Sequence, residues 1–520
     1  MPDTKLEENI ISEQVKRLQK VLTFRTISKL VKEEEVENGL ACFDDPNPLH
    51  ELHKYIREQF PEIFSTPERV SVELINEGSF LIHVKKNSNK SEKLDRNVNE
   101  QNETVEQNGE IETEQNGEIE SEQKESDSAN LDSGPFLLIA HMDVVPTVDK
   151  EWKHPPFEGI IEDGYLYGRG ALDDKGALMA MLEATSSLIR DENFVCKRDF
   201  YIALTHDEEV KGNLGAKNVA PKLEKVLEGK KLDFILDEGL VVFEDFRPGF
   251  PPIAFVAICE KGHLDLKITV KTPAGHSSLP QASTAVTKMC EIVTKLNKFS
   301  FPIYLKGTPM HGSLNVLSPF FSAAQRTLIN SIGMSDTIMK KIISSDRLSA
   351  TLMQTTKVVT KIEGGTSGNV IPSECSANVN FRLHPNDTCD RVMETVKKLV
   401  GSNEVTIEKM DSRDPPKCSS TDSVAYDRIV KAVGETFKEC EVKPVVAPNL
   451  LTGQTDSRHF QHLTIDTYRF TPYYMKRADI QSIHGHNERI GIDNYHQVIE
   501  FFTRFIRETA FETRKEVSNQ

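Results

Sequence analysis

No run of about 18 apolar residues occurs anywhere in the 520-residue chain, so no transmembrane helix is expected. Met1–Asn9 carries Asp3, Glu7 and Glu8 and no apolar stretch, so no secretory signal peptide is expected either. The eight cysteines (Cys42, Cys196, Cys259, Cys290, Cys375, Cys389, Cys418, Cys440) are widely spaced and form no CxxC pair. That spacing argues against a disulfide framework or a thiolate zinc site, and for scattered reduced thiols in the cytoplasm. A basic patch is missing too. Of the net charge of −17, −11 falls between Glu100 and Asp132, where ten Glu and two Asp face one Lys, leaving −6 for the rest. Neither half offers the cationic surface that nucleic acid requires.

With 38% apolar and 28% charged residues, the composition is that of a soluble globular protein, and the length calls for two domains. Ile11, Val15, Leu18 and Leu22 recur at helical spacing, as do Leu49, Leu52, Ile56 and Phe60. Phe80–Val84 reads as a strand. The stretch 86–134 then holds almost no large apolar side chains and repeats EQNGEIE at 106–112 and 114–120. It has too little to bury to offset its ordering entropy and reads as a disordered acidic insertion. Strand and helix signals alternate up to about residue 256: strands at Leu137–Ala140, Phe200–Leu204 and Phe234–Leu236, and a helix over Ala177–Leu188. From about His263 the texture changes to half-exposed antiparallel strands, with Leu264, Leu266, Ile268 and Val270 alternating with polar residues. The expected organisation is a first catalytic part at 1–256, an inserted α+β part at 257–384 and a second catalytic part at 385–520.

Chemistry-bearing residues gather at the ends of the apolar strands. Leu137–Ala140 runs into His141 and Asp143, which share a strand face because side chains alternate. Gly168–Gly176 sets Asp173 and Asp174 in a glycine-rich turn before a helix. His206–Glu209 follows the strand Phe200–Leu204, and Asp237–Glu238 follows Phe234–Leu236. His484, His486 and Glu488 lie near the C-terminus. Singly, each has an ordinary structural reading, such as a helix cap or a solvated strand end. Together they place five acid or imidazole clusters where open α/β sheets carry their sites. Imidazoles and carboxylates without thiols suit zinc, cobalt or manganese in a catalytic centre.

These stretches, HMDVVP, GRGALDDKG, HDEE, DEG and HGHNE, resemble those of the MH-clan di-zinc metallohydrolases. The likeness is strongest to carboxypeptidase S and the N-fatty-acyl-amino-acid synthase/hydrolase group. WKHPPF at 152–157, GQTDSRHF at 453–460 and Tyr468–Phe470 support it. The resemblance implies an α/β fold, a mixed-sheet catalytic domain with an inserted α+β dimerisation (lid) domain. It implies two Zn²⁺, with Co²⁺ or Mn²⁺ as substitutes, held by His141, Asp173, Glu209, Asp237 and His484. Glu208 would be the general base, and Asp143 would orient His141 through its other ring nitrogen. His276, in PAGHSS, would reach the oxyanion from the partner subunit of a homodimer.

Asn369, Arg382, Gly453 and Thr455 would hold the free carboxylate of a small-molecule substrate, a task suited to the fork of Arg382. The implied activity is hydrolysis of N-acyl amino acids, N-fatty-acyl ones included, which is reversible in principle. The alternative is a carboxypeptidase or dipeptidase acting on short peptides.

Overall fold

In the computed structural model the described residues are 11–36, 38–87, 134–332, 341, 347–402 and 404–511. The expected disordered insertion lies almost wholly outside them. The chain divides into two compact units, Met1–Ile235 with Gln481–Gln520, and Leu236–Ile480. The architecture is mixed α/β, with a large mixed sheet and a separate four-stranded sheet, as the sequence led us to expect.

The first unit opens with helix α1 (Glu13–Val21), whose N-cap Ser12 accepts the Val15 N–H and whose Val15, Leu18 and Val21 are buried. Its strands are β1 (Val70–Ile75), β2 (Ser79–Val84), β3 (Phe136–His141) and β4 (Phe200–Thr205), in the order β1-β2-β4-β3. β3 and β4 run parallel, and all six residues of each are buried. Such strands, covered on both faces, are continuous apolar runs rather than alternating ones. Phe136 stacks between Phe200 and Phe234, at centroid distances of 5.1 and 5.2 Å, and Phe505 meets both Phe136 and Phe234 edge-on. Each such ring contributes about 1.5–3 kcal/mol through burial. Helix α2 (Lys175–Arg190) is buried along most of its length, and α5 (Ile492–Phe511) packs along it. The β3–β4 register pairs His141 with Thr205, so the residues following each strand emerge side by side.

Strand β5 (Phe234–Phe243) carries the chain into the second unit. There it belongs to the order β5-β12-β6-β11, with β6 (Ile253–Glu260), β11 (Val445–Leu451) and β12 (Asp466–Met475). The four-stranded sheet has the order β8-β9-β7-β10, from β7 (Gly262–Lys271), β8 (Thr356–Gly364), β9 (Glu374–Leu383) and β10 (Val405–Arg413), all antiparallel. Leu264, Leu266, Ile268, Val379 and Phe381 form a core with Met289 of α3 (Ala285–Lys298) and Val392 and Val396 of α4 (Cys389–Val400). His263, Asp265, Asn380 and Arg382 alternate with these and line the other face. Helix α4 and strand β10 lie beyond residue 384, where the sequence reading ends the inserted part. We propose Gly262–Arg413 as its extent, because β10 pairs along β7 from Val405 to Arg413.

Candidate metal centre

His141 ends β3, and its imidazole is buried. Nδ1 lies 3.0 Å from the Asp143 carbonyl oxygen and 3.3 Å from its carboxylate, so Nδ1–H donates there and Nε2 points outward. The Asp143 carboxylate has further partners. It accepts the Glu208 N–H at 3.1 Å, the Glu209 N–H at 3.2 Å and the Ser28 hydroxyl at 2.7 Å. One side chain thus fixes the His141 ring and the turn that carries both glutamates. Burial opposes the charge of Asp143, but the hydrogen bonds from His141 and Ser28 outweigh it and hold the carboxyl below its usual range. A carboxylate oxygen of Glu208 comes within 4.8 Å of a His141 ring nitrogen.

Asp173 precedes α2 across a cis peptide to Asp174. Asp174 occupies the N-cap position but makes no side-chain cap bond, so the plain capping reading of this Asp-Asp pair does not account for it. Asp173 Oδ1 lies 2.9 Å from His141 Nε2, and its Oδ2 lies 3.0 Å from His484 Nε2. Glu209 meets the same His484 nitrogen at 3.0 Å. Two imidazoles and two carboxylates therefore converge within one unit, with Asp173 as the bridge. Ligand atoms of His141, Asp173 and Glu209 all lie within 4.8 Å of one another. Burial alone would raise the Asp173 pKa, yet the two imidazoles hold it well below the carboxylate range. His484 is raised in return by Asp173 and Glu209, while burial and the Asp173 charge push Glu209 up. Oxygen and nitrogen donors with no thiolate fit zinc, cobalt or manganese.

One residue of this arrangement has no role in the sequence reading. Glu488, fully buried, accepts the Leu172 N–H at 2.7 Å and the Asp173 N–H at 3.1 Å on one oxygen. Its other oxygen takes the Gly170 N–H at 3.0 Å and Arg169 Nη1 at 2.6 Å, and Arg169 Nη2 donates to the Gly485 carbonyl at 2.7 Å. Glu488 so ties the Asp173 loop to the His484 turn. Its signal is the acid that closes HGHNE. That turn is tight: a Cβ on Gly485 would sit 2.0 Å from the Gln481 carbonyl oxygen, and His484 itself holds φ +59°. His486, the other imidazole of this turn, pairs with Glu151 instead.

In the second unit, buried Asp237 accepts the Ser457 N–H at 2.8 Å and the Glu238 N–H at 2.9 Å. Burial raises its pKa against the hydrogen bonds from Thr455 and Ser457. Thr455 is buried, with its N–H on Glu260 at 3.3 Å and its hydroxyl 2.6 Å from that of Ser457, while Gly453 is exposed two residues earlier. His276 is exposed and pairs with Val370 in a two-residue ladder, and Ser277 N–H donates to the Asn369 carbonyl at 3.0 Å. The structure therefore brings His276 and Asn369 side by side. His276 Nδ1 accepts from Ser278 N–H at 3.2 Å, so Nε2 carries the proton. Arg382 is half-buried on β9, and burial lowers its pKa despite Asp265.

The model of peptidase family M20/M25/M40 matches residues 137–508. The N-fatty-acyl-amino acid synthase/hydrolase PM20D1 of Bos taurus is 35% identical over 376 residues, covering 72% of this chain and 74% of the relative. "Probable carboxypeptidase S-like 2" of Dictyostelium discoideum is 36% identical over 382 residues, 72% of each. Among solved structures, the M20 family metallo-carboxypeptidase Sso-CP2 from Sulfolobus solfataricus superposes with a TM-score of 0.61 at 20% identity, covering 95% of this chain and 99% of that one. With the match spanning β3 through α5, the chain belongs to peptidase family M20/M25/M40 and is an enzyme of its metal-dependent hydrolase fold.

Proposed function

We propose that the chain hydrolyses the amide bond of N-acyl amino acids, N-fatty-acyl amino acids among them. The observation that carries this reading is the Asp173 carboxylate set between His141 and His484, at 2.9 and 3.0 Å, with Glu209 on the same His484 nitrogen. His141, Asp173, Glu209, Asp237 and His484 would hold two zinc ions, which when bound supply the Lewis acidity that lets water ionise near neutral pH. Glu208 takes the proton of that water as its oxygen attacks the amide carbonyl. The same carboxyl then gives the proton to the leaving nitrogen as the C–N bond breaks, yielding a carboxylic acid and a free amino acid. His276 Nε2–H, from the partner subunit of a homodimer, donates to the oxyanion. Arg382, Asn369, Gly453 and Thr455 hold the substrate carboxylate. Run backwards, the steps condense an acid with an amino acid.

The likeness to a carboxypeptidase S-like relative favours a second reading, release of C-terminal amino acids from short peptides by the same groups. A cytoplasmic location is supported by the eight cysteines, all free thiols. No helix among the described residues is long and apolar enough to cross a membrane.

The test is amine release by zinc-loaded protein from long-chain N-acyl amino acids, N-acetyl amino acids and dipeptides, with Glu208→Gln as control. Preferred turnover of the acyl amino acids, lost in the variant, is expected. Preference for dipeptides would transfer the protein to the second reading, and turnover surviving in Glu208→Gln would remove the mechanism.

A further inference from the structure

Away from the proposed centre, two thiols of the second unit meet. Cys259 is buried near the end of β6, one residue before Glu260, and Cys418 is exposed on the segment after β10. The backbone sets them together: Ser419 N–H donates to the Ile258 carbonyl at 2.8 Å, which places the flanking Cys418 and Cys259 side by side. Cys259 Sγ also reaches the Pro416 carbonyl at 3.3 Å, two residues before Cys418. The Arg469 guanidinium, buried against Glu260 at 3.2 Å, adds positive charge nearby.

The remaining six cysteines lack this combination. Cys42, Cys196, Cys375 and Cys389 are buried, and Cys440 is half-buried. Cys290 is exposed and lies near buried Cys375, but it sits on helix α3 without a backbone bond that aligns the two residues. The S–H of Cys259 and the charge of Arg469 lower the Cys418 thiol from its usual value, while Cys259 is raised by Cys418 and by burial. An exposed thiol set by the backbone beside a second, buried thiol is the arrangement in which oxidation proceeds to a disulfide rather than to higher acids.

We propose that Cys418 and Cys259 form a peroxide-reactive dithiol, with Cys418 as the attacking thiol and Cys259 as the resolving one. The Cys418 thiolate attacks a peroxide oxygen and the O–O bond breaks. The hydroxide released takes up the proton lost by Cys418, giving water and a sulfenic acid. Cys259 sulfur then attacks the sulfenic sulfur, the S–O bond breaks, and the Cys259 proton leaves with that hydroxide as a second water. Two thiols are oxidised to one disulfide while one hydrogen peroxide is reduced to two waters, and an added thiol reverses the change.

The experiment uses the full chain and hydrogen peroxide at one equivalent, with alkylation, digestion and mass mapping. A Cys259–Cys418 cross-link removed by dithiothreitol is expected. Before oxidation, iodoacetamide at pH 7 should label Cys418 roughly tenfold faster than exposed Cys290. Cys259→Ala should slow that labelling and leave a Cys418 sulfenic acid that dimedone traps. Cys418→Ser, at an exposed position, should abolish the cross-link with Cys290 labelling unchanged. The proposal is overturned if Cys290 labels as fast as Cys418, if the cross-link joins Cys290 to Cys375 instead, or if oxidised wild type carries a Cys418 sulfinic acid without a cross-link.

Discussion

The carboxylate of Asp143 meets the His141 ring, the Ser28 hydroxyl and the N–H groups of Glu208 and Glu209. Converting one oxygen to an amide leaves a donor facing at least one of those N–H groups. On the proposed reading, Asp143→Asn should weaken metal binding by about 10–100-fold, read by competition with a chromogenic chelator. An unchanged affinity would reduce Asp143 to a backbone clamp. Glu208→Gln should behave differently: bound metal stays at wild-type stoichiometry while kcat falls by roughly 10²–10⁴-fold. Loss of metal together with activity would instead assign Glu208 a ligand's place. The sequence brings His141 and Asp143 within reach of this argument because an apolar strand ending in polar residues at i and i+2 is a local pattern. Asp237 meeting Ser457 was not legible, since 220 positions separate them and neither carries a periodic signal.

Two loops and a helix start are joined by Glu488, which holds the backbone of Gly170, Leu172 and Asp173 and the side chain of Arg169. Glu488→Gln keeps the shape but leaves the buried Arg169 guanidinium without its counter-charge. Removing one partner of a buried pair costs about 3–5 kcal/mol, so the urea midpoint should drop well below wild type. A midpoint within error of wild type would mean that the loop is held elsewhere. The elements themselves were largely readable. Helical spacing marked Val15–Leu18 and Leu49–Ile56, continuous apolar runs marked β3 and β4, and alternation of apolar with polar residues marked β7. Strand β10 escaped for a physical reason. It is an edge strand with a register shift between Lys409 and Asp411, and most of its side chains face solvent, so burial imposes no alternation on its second half.

At the scale of the whole molecule, each unit buries a histidine that must stay neutral. His53 in the first unit hydrogen-bonds to the Gly78 carbonyl at 3.1 Å, and burial pushes its pKa down to about 3. His384 in the second stacks on Tyr304 at 4.9 Å, and burial with the neighbouring Lys261 charge takes it down to about 3 as well. In the unfolded chain both titrate near 6.5. Above that pH neither state binds the protons, and these residues add no slope. Between about 6.5 and 3 the unfolded chain takes up protons that the folded chain refuses, so stability falls with falling pH, on the order of 1 kcal/mol per pH unit for each site. The window from pH 6.5 to 5 separates this effect from Asp143 and Asp173, whose lowered pKa values place their loss of stabilisation in more acid solution. Urea unfolding across that window should show a declining midpoint, and His53→Gln with His384→Gln should flatten the decline. If the double variant keeps the wild-type slope, the protons are taken up elsewhere and the two buried imidazoles do not set the acid limit of the fold.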